Sequence, residues 1–204
     1  MYLNTFDNEF FPQLKDILRK QMRKRKRALS VEQKSVDEEE VFGLIRGVGL
    51  LKGAKHVMLY YSLPDELPTH ATIEQWAAEG EFQIYLPRVK GDDIEVVPYM
   101  GPESLNDDNP FHIEEPVGEA VSPDILDAVI VPGVAFDRHA NRMGRGKGFY
   151  DRLLSRGDLY TIGVCHDCQM LDEIPCEPHD KPMDCVISPN YCIIGCAFLD
   201  RNKQ

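Results

Sequence analysis

The sequence predicts an α/β fold: a single domain with a largely parallel sheet flanked by helices on both faces, in a three-layer, Rossmann-like arrangement. Two patterns carry this prediction. Short apolar runs of strand length follow one another after Gly53, and helical patterns fall between several of them. The length of 204 residues fits one domain, since a domain takes about 150 residues as a soft prior. The sequence contains no internal repeat and no second domain boundary.

Two helices are expected ahead of the first strand. The first spans residues 12–28, because apolar side chains recur at three- and four-residue intervals and Pro12 suits a first helical turn. Its apolar stripe comprises Leu14, Ile17, Leu18 and Met22. The second helix begins after Ser30, an expected N-cap with Gln33 in the capping-box position. Its expected apolar face comprises Val41, Leu44, Ile45 and Val48.

Six strands are expected from their length and composition: residues 56–61, 82–86, 94–97, 128–131, 160–164 and 186–187. Further helices are expected at residues 69–79, ended by Gly80, and at residues 148–155. Strands that alternate with helices are typical of a parallel sheet. Residues 98–123 are rich in Pro, Gly, Asn, Asp and Glu with little periodicity, so we expect an ordered excursion that covers a cleft, with a mobile loop as the alternative.

The composition is that of a globular protein outside the membrane. The hydrophobic fraction is 43% and the charged fraction 28%, which are ordinary values. No apolar run approaches the ~18 residues that a bilayer requires. The first ten residues also lack the basic start and apolar core of a secretory signal. We therefore expect a cytoplasmic monomer with no membrane partner.

All six cysteines lie in the last forty residues: Cys165, Cys168, Cys176, Cys185, Cys192 and Cys196. Without an export signal, disulfides are not expected. The segment from Cys165 to Cys168 has the spacing of a zinc knuckle, and His166, Cys176 and His179 are near it, but no second closely spaced ligand pair follows. Buried free thiols are therefore the favoured interpretation.

Residues 131–151 form the most informative segment, because they combine three glycines with four cations: Gly144, Gly146 and Gly148, with Arg138, Arg142, Arg145 and Lys147. In a protein of net charge -11, such a cluster indicates a specific anion. Phosphate is the obvious candidate, since glycine lets backbone N–H groups converge on oxygen atoms. The segment also follows the strand at residues 128–131, and open α/β sheets bind ligands at the carboxyl ends of strands.

The segment matches neither of two common phosphate motifs. Gly148 stands where a Walker A loop requires Ser or Thr, and Phe149 stands where the dinucleotide fingerprint requires its last Gly. A glycine-rich surface turn with solvated arginines is therefore an alternative interpretation. Asp151, just beyond the loop, favours the functional one, because a carboxylate there could hold a magnesium ion that bridges phosphate oxygens.

A basic run covers residues 19–27, with seven basic residues in nine. Taken alone it suggests nucleic acid. The acidic total and the absence of an aromatic stacking platform beside the run instead favour the solvated face of an amphipathic helix. Lys15 and Arg19 are one helical turn apart, so together they could clamp a triphosphate.

The segment from Pro132 to Asp151 resembles the signature of the 5-formyltetrahydrofolate cyclo-ligase family, also called methenyltetrahydrofolate synthetases. Three other segments fall in the family's order and spacing: the helix with Lys15 and Arg19, the run Tyr60-Tyr-Ser-Leu-Pro-Asp-Glu66, and the run Asp180-Lys-Pro-Met-Asp184-Cys-Val. The resemblance thus covers nearly the whole chain.

The resemblance implies roles for individual residues. The implied ATP-binding residues are Lys15, Arg19, Arg142, Met143, Gly144, Arg145, Gly146, Lys147, Gly148, Phe149 and Tyr150. The implied substrate-binding residues are Tyr61, Glu66, Arg145, Gly146, Lys147, Gly148 and Phe149. Asp151 and Asp184 match positions that hold Mg²⁺. Phe149 departs from the Tyr common in the motif, which removes one hydroxyl but keeps a ring for stacking. Tyr61 stands where an aliphatic residue is also found.

The implied reaction is the ATP- and Mg²⁺-dependent closure of 5-formyltetrahydrofolate to 5,10-methenyltetrahydrofolate, with release of ADP and phosphate. A formamide oxygen leaves poorly, so transfer of the γ-phosphoryl group onto it gives an iminium phosphate that N10 can attack. Phosphoryl transfer depends on positioning and charge neutralisation more than on a protein nucleophile. Arg145 and Lys147 are the hypothesised catalytic residues.

Two other classes of function stay open. One is a different α/β enzyme that uses ATP or a sugar phosphate and excludes a pteridine. The other is a non-enzymatic protein that binds folate, or RNA through the basic helix. Apart from the resemblance, Asp184 is equally compatible with a turn cap before a strand, and Glu66 with a plain loop carboxylate.

Overall fold

Helices and strands alternate through most of the chain. The computed structural model describes residues 7–109, 112–177 and 180–196. The helices are α1 (Asp7–Arg27), α2 (Val31–Gly47), α3 (His70–Glu79) and α4 (Phe149–Ser155). The strands are β1 (His56–Met58), β2 (Gln83–Lys90), β3 (Asp93–Pro98), β4 (Leu105–Asn106), β5 (Glu115–Pro116), β6 (Ala128–Pro132), β7 (Ala135–Asp137), β8 (Arg142–Met143), β9 (Tyr160–Val164), β10 (Met170–Leu171), β11 (Cys185–Ser188) and β12 (Tyr191–Ile194). Short 3-10 turns lie at Pro102–Ser104, Pro123–Ile125 and Asp167–Gln169.

The main sheet has seven strands in the order β12-β11-β9-β6-β1-β2-β3. The five central strands are parallel, and an antiparallel strand closes each edge. All six expected strands belong to this sheet. Two small sheets, β10-β7-β8 and β4-β5, were not predicted, because strands of two or three residues are too short to show a period.

Helices cover both faces of the main sheet, which confirms the predicted α/β arrangement. On one face, α2 and α3 pack through Val41, Phe42, Ile45, Ile73 and Trp76. Their partners include Ala128 and Ile130 of β6, whereas Val129 and Val131 point to the opposite face, with Leu153 and Leu154 of α4. Alternate residues of one strand thus belong to different halves of the core.

Helix α1 packs away from the main sheet. Its Met22 is fully buried with Val134, Ala135, Met143 and Ile174, over the small sheet that contains β7 and β8. The predicted start of this helix was wrong: α1 begins at Asp7 and Pro12 lies inside it. Ile17 is 51% exposed, so the apolar stripe is narrower than predicted.

Helix α2 begins as predicted, since Ser30 accepts a hydrogen bond from the Gln33 backbone N–H at 3.1 Å. The Gln33 side chain donates to Asp37 rather than back to the cap. Leu44 and Val48, predicted to be buried, are exposed, because the buried stripe turns through Phe42 instead. Helix α3 lies as predicted, with Gly80 in the left-handed conformation at its end.

The described part of residues 98–123 is ordered, as predicted, and packs along β2 and β3. Arg88 donates to the Gly118 carbonyl at 2.9 Å, Val89 N–H donates to Glu115, and Val121 bridges to Val96. Within the described residues no helix is both long and apolar enough to cross a membrane.

The described cysteines are all free thiols. Cys165 and Cys185 are buried, Cys168 and Cys176 are half-buried, and Cys192 and Cys196 are exposed. The prediction of free thiols is confirmed for all of them, and the prediction of burial is confirmed fully only for Cys165 and Cys185. Among the described residues, no group of three or more His, Cys, Asp and Glu side chains is placed to hold a metal ion; His179 lies outside them.

Candidate active site

The glycine-rich loop lies at the carboxyl end of the sheet's central strand β6, as predicted. After Pro132 the chain makes the β7–β8 hairpin and continues through residues 144–148 into α4. Gly146 and Gly148 have φ angles of 94° and 68°, which L side chains rarely adopt. Glycine is therefore required at these two turns.

A buried carboxylate holds the hairpin in place. Asp137 is completely buried, and its Oδ1 accepts hydrogen bonds from the backbone N–H groups of His139 and Asn141. Its Oδ2 accepts from the Asn141 side chain at 2.9 Å and from Ile174 N–H at 3.0 Å. Asp137 thus has a structural role that the sequence did not reveal.

Two cavities lie on either side of the loop. The first, which we call the α1 cavity, has a volume of about 280 Å³ and is lined by Lys15, Arg19, Glu177, Asp180 and loop residues. The second, the loop cavity, has a volume of about 110 Å³ and is lined by Glu66, Arg145, Lys147, Phe149, Tyr150 and their neighbours. Four residues line both and form a shared wall: Arg142, Gly144, Gly148 and Asp151.

The cations of the α1 cavity are paired with carboxylates. Lys15 Nζ lies 2.9 Å from both Glu177 and Asp180, and although burial opposes its charge, these bonds raise the pKa of Lys15. Arg19 pairs with Asp16 at 2.6 Å and its Nε donates to the Gly144 carbonyl at 3.1 Å. An anion that entered this cavity would exchange partners with these carboxylates.

The shared wall is built on an ion pair. Arg142 Nη2 lies 2.6 Å from Asp151 Oδ1, and the arginine side chain is 5% exposed against 38% for the aspartate. Arg142 also donates to the Pro132 carbonyl at 3.2 Å, and its guanidinium lies over the Tyr150 ring, 5.6 Å from the centroid. The pair therefore fixes the end of β6 to the first turn of α4.

The loop cavity is more aromatic and carries an unpaired cation. Lys147 is exposed and forms no ion pair within the described residues. The Phe149 ring lies 5.5 Å from the Arg152 guanidinium. The buried Tyr150 hydroxyl has no hydrogen-bond partner in the described part of the chain, and burial raises the pKa of Tyr150.

Arg145 joins the loop to the segment that carries Glu66. Its Nε and Nη2 donate to Glu66 Oε1 at 3.1 and 3.0 Å, and Nη2 also donates to Asp65 Oδ1 at 2.5 Å. The structure thereby brings together Arg145 and Glu66, which are 79 positions apart. Lys26 also reaches Asp65, at 2.9 Å. Neither Asp65 nor Lys26 was predicted as a site residue, although Asp65 directly precedes Glu66.

Tyr61 lies apart from both cavities. Its ring stacks on His70 with centroids 3.9 Å apart, and burial, followed by the charge of Glu114, raises the pKa of Tyr61 to about 12. Tyr61 lines neither of the two cavities. Its role as a substrate contact stays a prediction.

Asp184 is more deeply buried than Asp151. It precedes β11, and its Oδ2 accepts hydrogen bonds from the Thr161 backbone N–H at 2.8 Å and hydroxyl at 2.9 Å. The side chain is buried. In the strand register, Thr161 is paired with Val129, three residues before the end of β6, or about 10 Å along a strand. The predicted metal ligands thus differ: Asp151 lines both cavities, while Asp184 lines neither.

Comparison with known proteins gives the family. The model of the 5-formyltetrahydrofolate cyclo-ligase family matches residues 12–189. The 5-formyltetrahydrofolate cyclo-ligase of Escherichia coli strain K12 is 32% identical over 177 residues, which cover 83% of this chain and 97% of that protein.

Solved structures agree with this match. The NMR structure of 5,10-methenyltetrahydrofolate synthetase from Aquifex aeolicus has a TM-score of 0.79 and 32% identity, covering 89% of this chain and 92% of that one. A 5,10-methenyltetrahydrofolate synthetase from Mycoplasma pneumoniae, 23% identical, has the same fold with a TM-score of 0.70, covering 86% and 99%. The chain belongs to the 5-formyltetrahydrofolate cyclo-ligase family, a family of ligases.

Proposed function

We propose that the chain catalyses the ATP-dependent closure of 5-formyltetrahydrofolate to 5,10-methenyltetrahydrofolate, with release of ADP and phosphate. Family membership supports the activity. The placement of the two substrates is inferred from one observation: the two cavities share a wall. A phosphoryl transfer between two bound molecules requires adjacent pockets, because the donor and acceptor atoms have to meet in line.

In this proposal ATP occupies the α1 cavity, and its phosphates approach the glycine loop. Lys15 and Arg19 lie on one face of α1, four residues apart, and both line that cavity. The left-handed turns at Gly146 and Gly148 keep side chains away from the phosphates, and backbone N–H groups of the loop complete the cradle.

The pterin end of the reduced folate enters the loop cavity, and the remainder of the molecule lies outside it, because the cavity volume is only about 110 Å³. Phe149 offers an aromatic face for the pterin, while Glu66 and Lys147 supply polar contacts on the same wall. The missing Tyr hydroxyl at position 149 removes one hydrogen bond without removing the stacking surface. The formyl group then faces the shared wall and, across it, the γ-phosphate.

The chemistry follows from this placement. The formyl oxygen attacks the γ-phosphorus, the bond to the β–γ bridging oxygen breaks, and ADP leaves. N10 of the folate then attacks the activated carbon and loses its proton to water, and the C–O bond breaks as phosphate leaves. Arg145 and Lys147 offset the negative charge on the transferring group. This explains why the reaction needs no protein nucleophile.

Asp151 fits a role as a magnesium ligand, because its carboxylate is partly exposed, lies on the shared wall, and contacts Arg142 through Oδ1 alone among the described residues. When bound, Mg²⁺ supplies charge neutralisation between phosphate oxygens. Asp184 fits less well, since Thr161 already donates two hydrogen bonds to one of its oxygens and it lines neither cavity. The cytoplasmic location and the monomeric state stay predictions.

The experiment that tests the function is a spectrophotometric assay of methenyltetrahydrofolate formation from 5-formyltetrahydrofolate, with ATP or magnesium omitted in turn. We expect product only when both are present. If protein shown to be folded by circular dichroism makes no product, the two cavities serve other substrates. Product without ATP would contradict the phosphorylated intermediate.

A further inference from the structure

We propose that Lys26 and Asp65 act as a positioning pair that orients Arg145 toward the transferring phosphoryl group. This inference rests on the proposed catalytic role of Arg145. Its source is a continuous chain of polar contacts from the last turn of α1, through the turn at residues 63–66, to the glycine loop.

Lys26 differs from the rest of the basic run. Its side chain is 2% exposed, while Lys20, Arg23, Lys24, Arg25 and Arg27 are exposed. Residues 15, 19, 22 and 26 recur at three- and four-residue intervals, so they lie on one face of α1. Lys15 and Arg19 line the α1 cavity and Met22 enters the core. Lys26 thus continues the face of α1 that points to the site.

A buried ammonium group requires a fixed partner, because an isolated charge in the interior is strongly unfavourable. Within the described residues, Asp65 is the only carboxylate that pairs with Lys26, at 2.9 Å. Burial opposes ionisation of Asp65, but hydrogen bonds from Arg145 and Lys26 hold the pKa of Asp65 at about 2. The carboxylate is therefore charged at neutral pH and neutralises Lys26.

The two carboxylate oxygens of Asp65 accept hydrogen bonds from different cations. Oδ2 accepts from Lys26 and Oδ1 accepts from Arg145 Nη2. The turn itself is held from the second helix as well, because Lys34 of α2 donates to the Pro64 carbonyl at 2.8 Å. Two lysines, one from each of the first two helices, thus hold the turn that carries Asp65 and Glu66.

The result is an oriented but accessible guanidinium. Arg145 is 45% exposed, so packing alone does not fix its direction. Its Nε and Nη2 are used by Glu66 and Asp65, whereas Nη1 makes no hydrogen bond within the described residues and is left for an oxyanion. Groups held in place before reaction lower the barrier more than they increase ground-state affinity.

The test measures turnover and stability in three variants: Lys26→Met, Asp65→Asn and the double variant. We expect kcat to fall about tenfold to a hundredfold in each, with KM for ATP and Kd for the folate changed less than about twofold. Lys24→Met is the matched control, since Lys24 is an exposed lysine on the same helix, and its kcat should equal that of wild type.

The double variant separates positioning from folding. Asp65→Asn leaves a buried, unpaired ammonium and should lower the free energy of unfolding, whereas the double variant removes both charges and should recover much of it. If kcat recovers together with stability, the pair is only structural and the proposal is overturned. If kcat stays low in a stable double variant, positioning is supported.

A readout independent of activity keeps this proposal separate from the proposed function. In ¹⁵N spectra of arginine side chains, the Arg145 Nε–H signal, assigned by its loss in Arg145→Lys, should be protected from water exchange in wild type and exchange faster in Lys26→Met. Equal exchange in both would overturn the positioning role even if the enzyme is active. Wild-type protein without folate activity would overturn the proposed function while this measurement still stands.

Discussion

The two cavities beside the glycine loop share a wall but differ in their electrostatics. In the α1 cavity Lys15, Arg19 and Arg142 all have carboxylate partners. In the loop cavity Lys147 has none among the described residues, and Phe149 and Tyr150 add two aromatic rings to the wall. Lys15 and Arg19 are already neutralised, so an anion that binds them replaces a carboxylate, and we expect them mainly to set affinity. A free cation acts on charge that develops during the reaction, and so mainly sets rate.

The largest effect is expected at Lys147. Lys147→Ala should lower kcat about 100-fold or more, because a preorganised donor to the transferring group is typically worth that much. Folate Kd, measured by titration calorimetry, should change far less. Lys20→Ala, on the exposed face of α1, is the control. Near-normal turnover in Lys147→Ala would show that Lys147 does not act in the reaction, and the proposed difference between the two cavities would be wrong.

A smaller effect is expected at Lys15, and it should appear in KM for ATP rather than in kcat. Lys15→Met should raise KM for ATP about tenfold, since a hydrogen bond to a charged group contributes about 1.5–3 kcal/mol, while folate Kd stays the same. Steady-state kinetics with each substrate varied in turn provides the measurement. If folate binding weakens instead, the two cavities have been assigned to the wrong substrates.

The two aspartates provide a third contrast. Asp151→Asn should raise the magnesium concentration for half-maximal activity and barely change stability, because its side chain is 38% exposed. Asp184→Ala should lower the free energy of unfolding by about 1–3 kcal/mol, since a buried Thr161 donor loses its acceptor. Urea unfolding and magnesium titration of both variants separate the two. A higher magnesium requirement in a stable Asp184→Ala protein would place Asp184 at the metal.

The smallest effect concerns acid stability at the Asp65 ion pairs. The pKa of Asp65 is lowered from 3.8 to about 2 in the folded protein, so the unfolded chain takes up this proton first as pH falls. The stabilisation is complete above about pH 4 and is lost as pH falls toward 2. In urea unfolding at several pH values, the free energy of unfolding should change less steeply with pH in Asp65→Asn than in wild type within that window. An identical slope would mean that the pair is screened by solvent.

Much of the architecture could be predicted because its determinants are local. Six apolar runs predicted six strands of the main sheet, and Gly80 predicted the end of α3, since a left-handed residue favours glycine there. The start of α1 could not be predicted in this way. Pro12 was taken as a first-turn signal, but α1 continues for five residues before it.

The site divides in the same manner. The glycine loop and its place after β6 follow from composition and from the rule that parallel sheets bind ligands at their carboxyl ends. The partners of its cations do not, because Arg145 and Asp65 are 80 positions apart and Lys15 and Asp180 are 165 apart. The burial of a single side chain cannot be predicted either. Lys26 is buried, although its residue type does not distinguish it from the exposed residues of the basic run.

The sequence by itself determined the α/β fold and the family resemblance, because spacing and residue type are enough for each, and it predicts that residues 131–151 bind phosphate. Only the tertiary structure decided that the loop separates two cavities, that Asp151 lines both while Asp184 is more deeply buried, and that Lys26 and Arg145 both contact Asp65. These depend on how α1 and the turn at residues 63–66 pack against the loop. Such long-range contacts are set by the folded core as a whole, which no local pattern records.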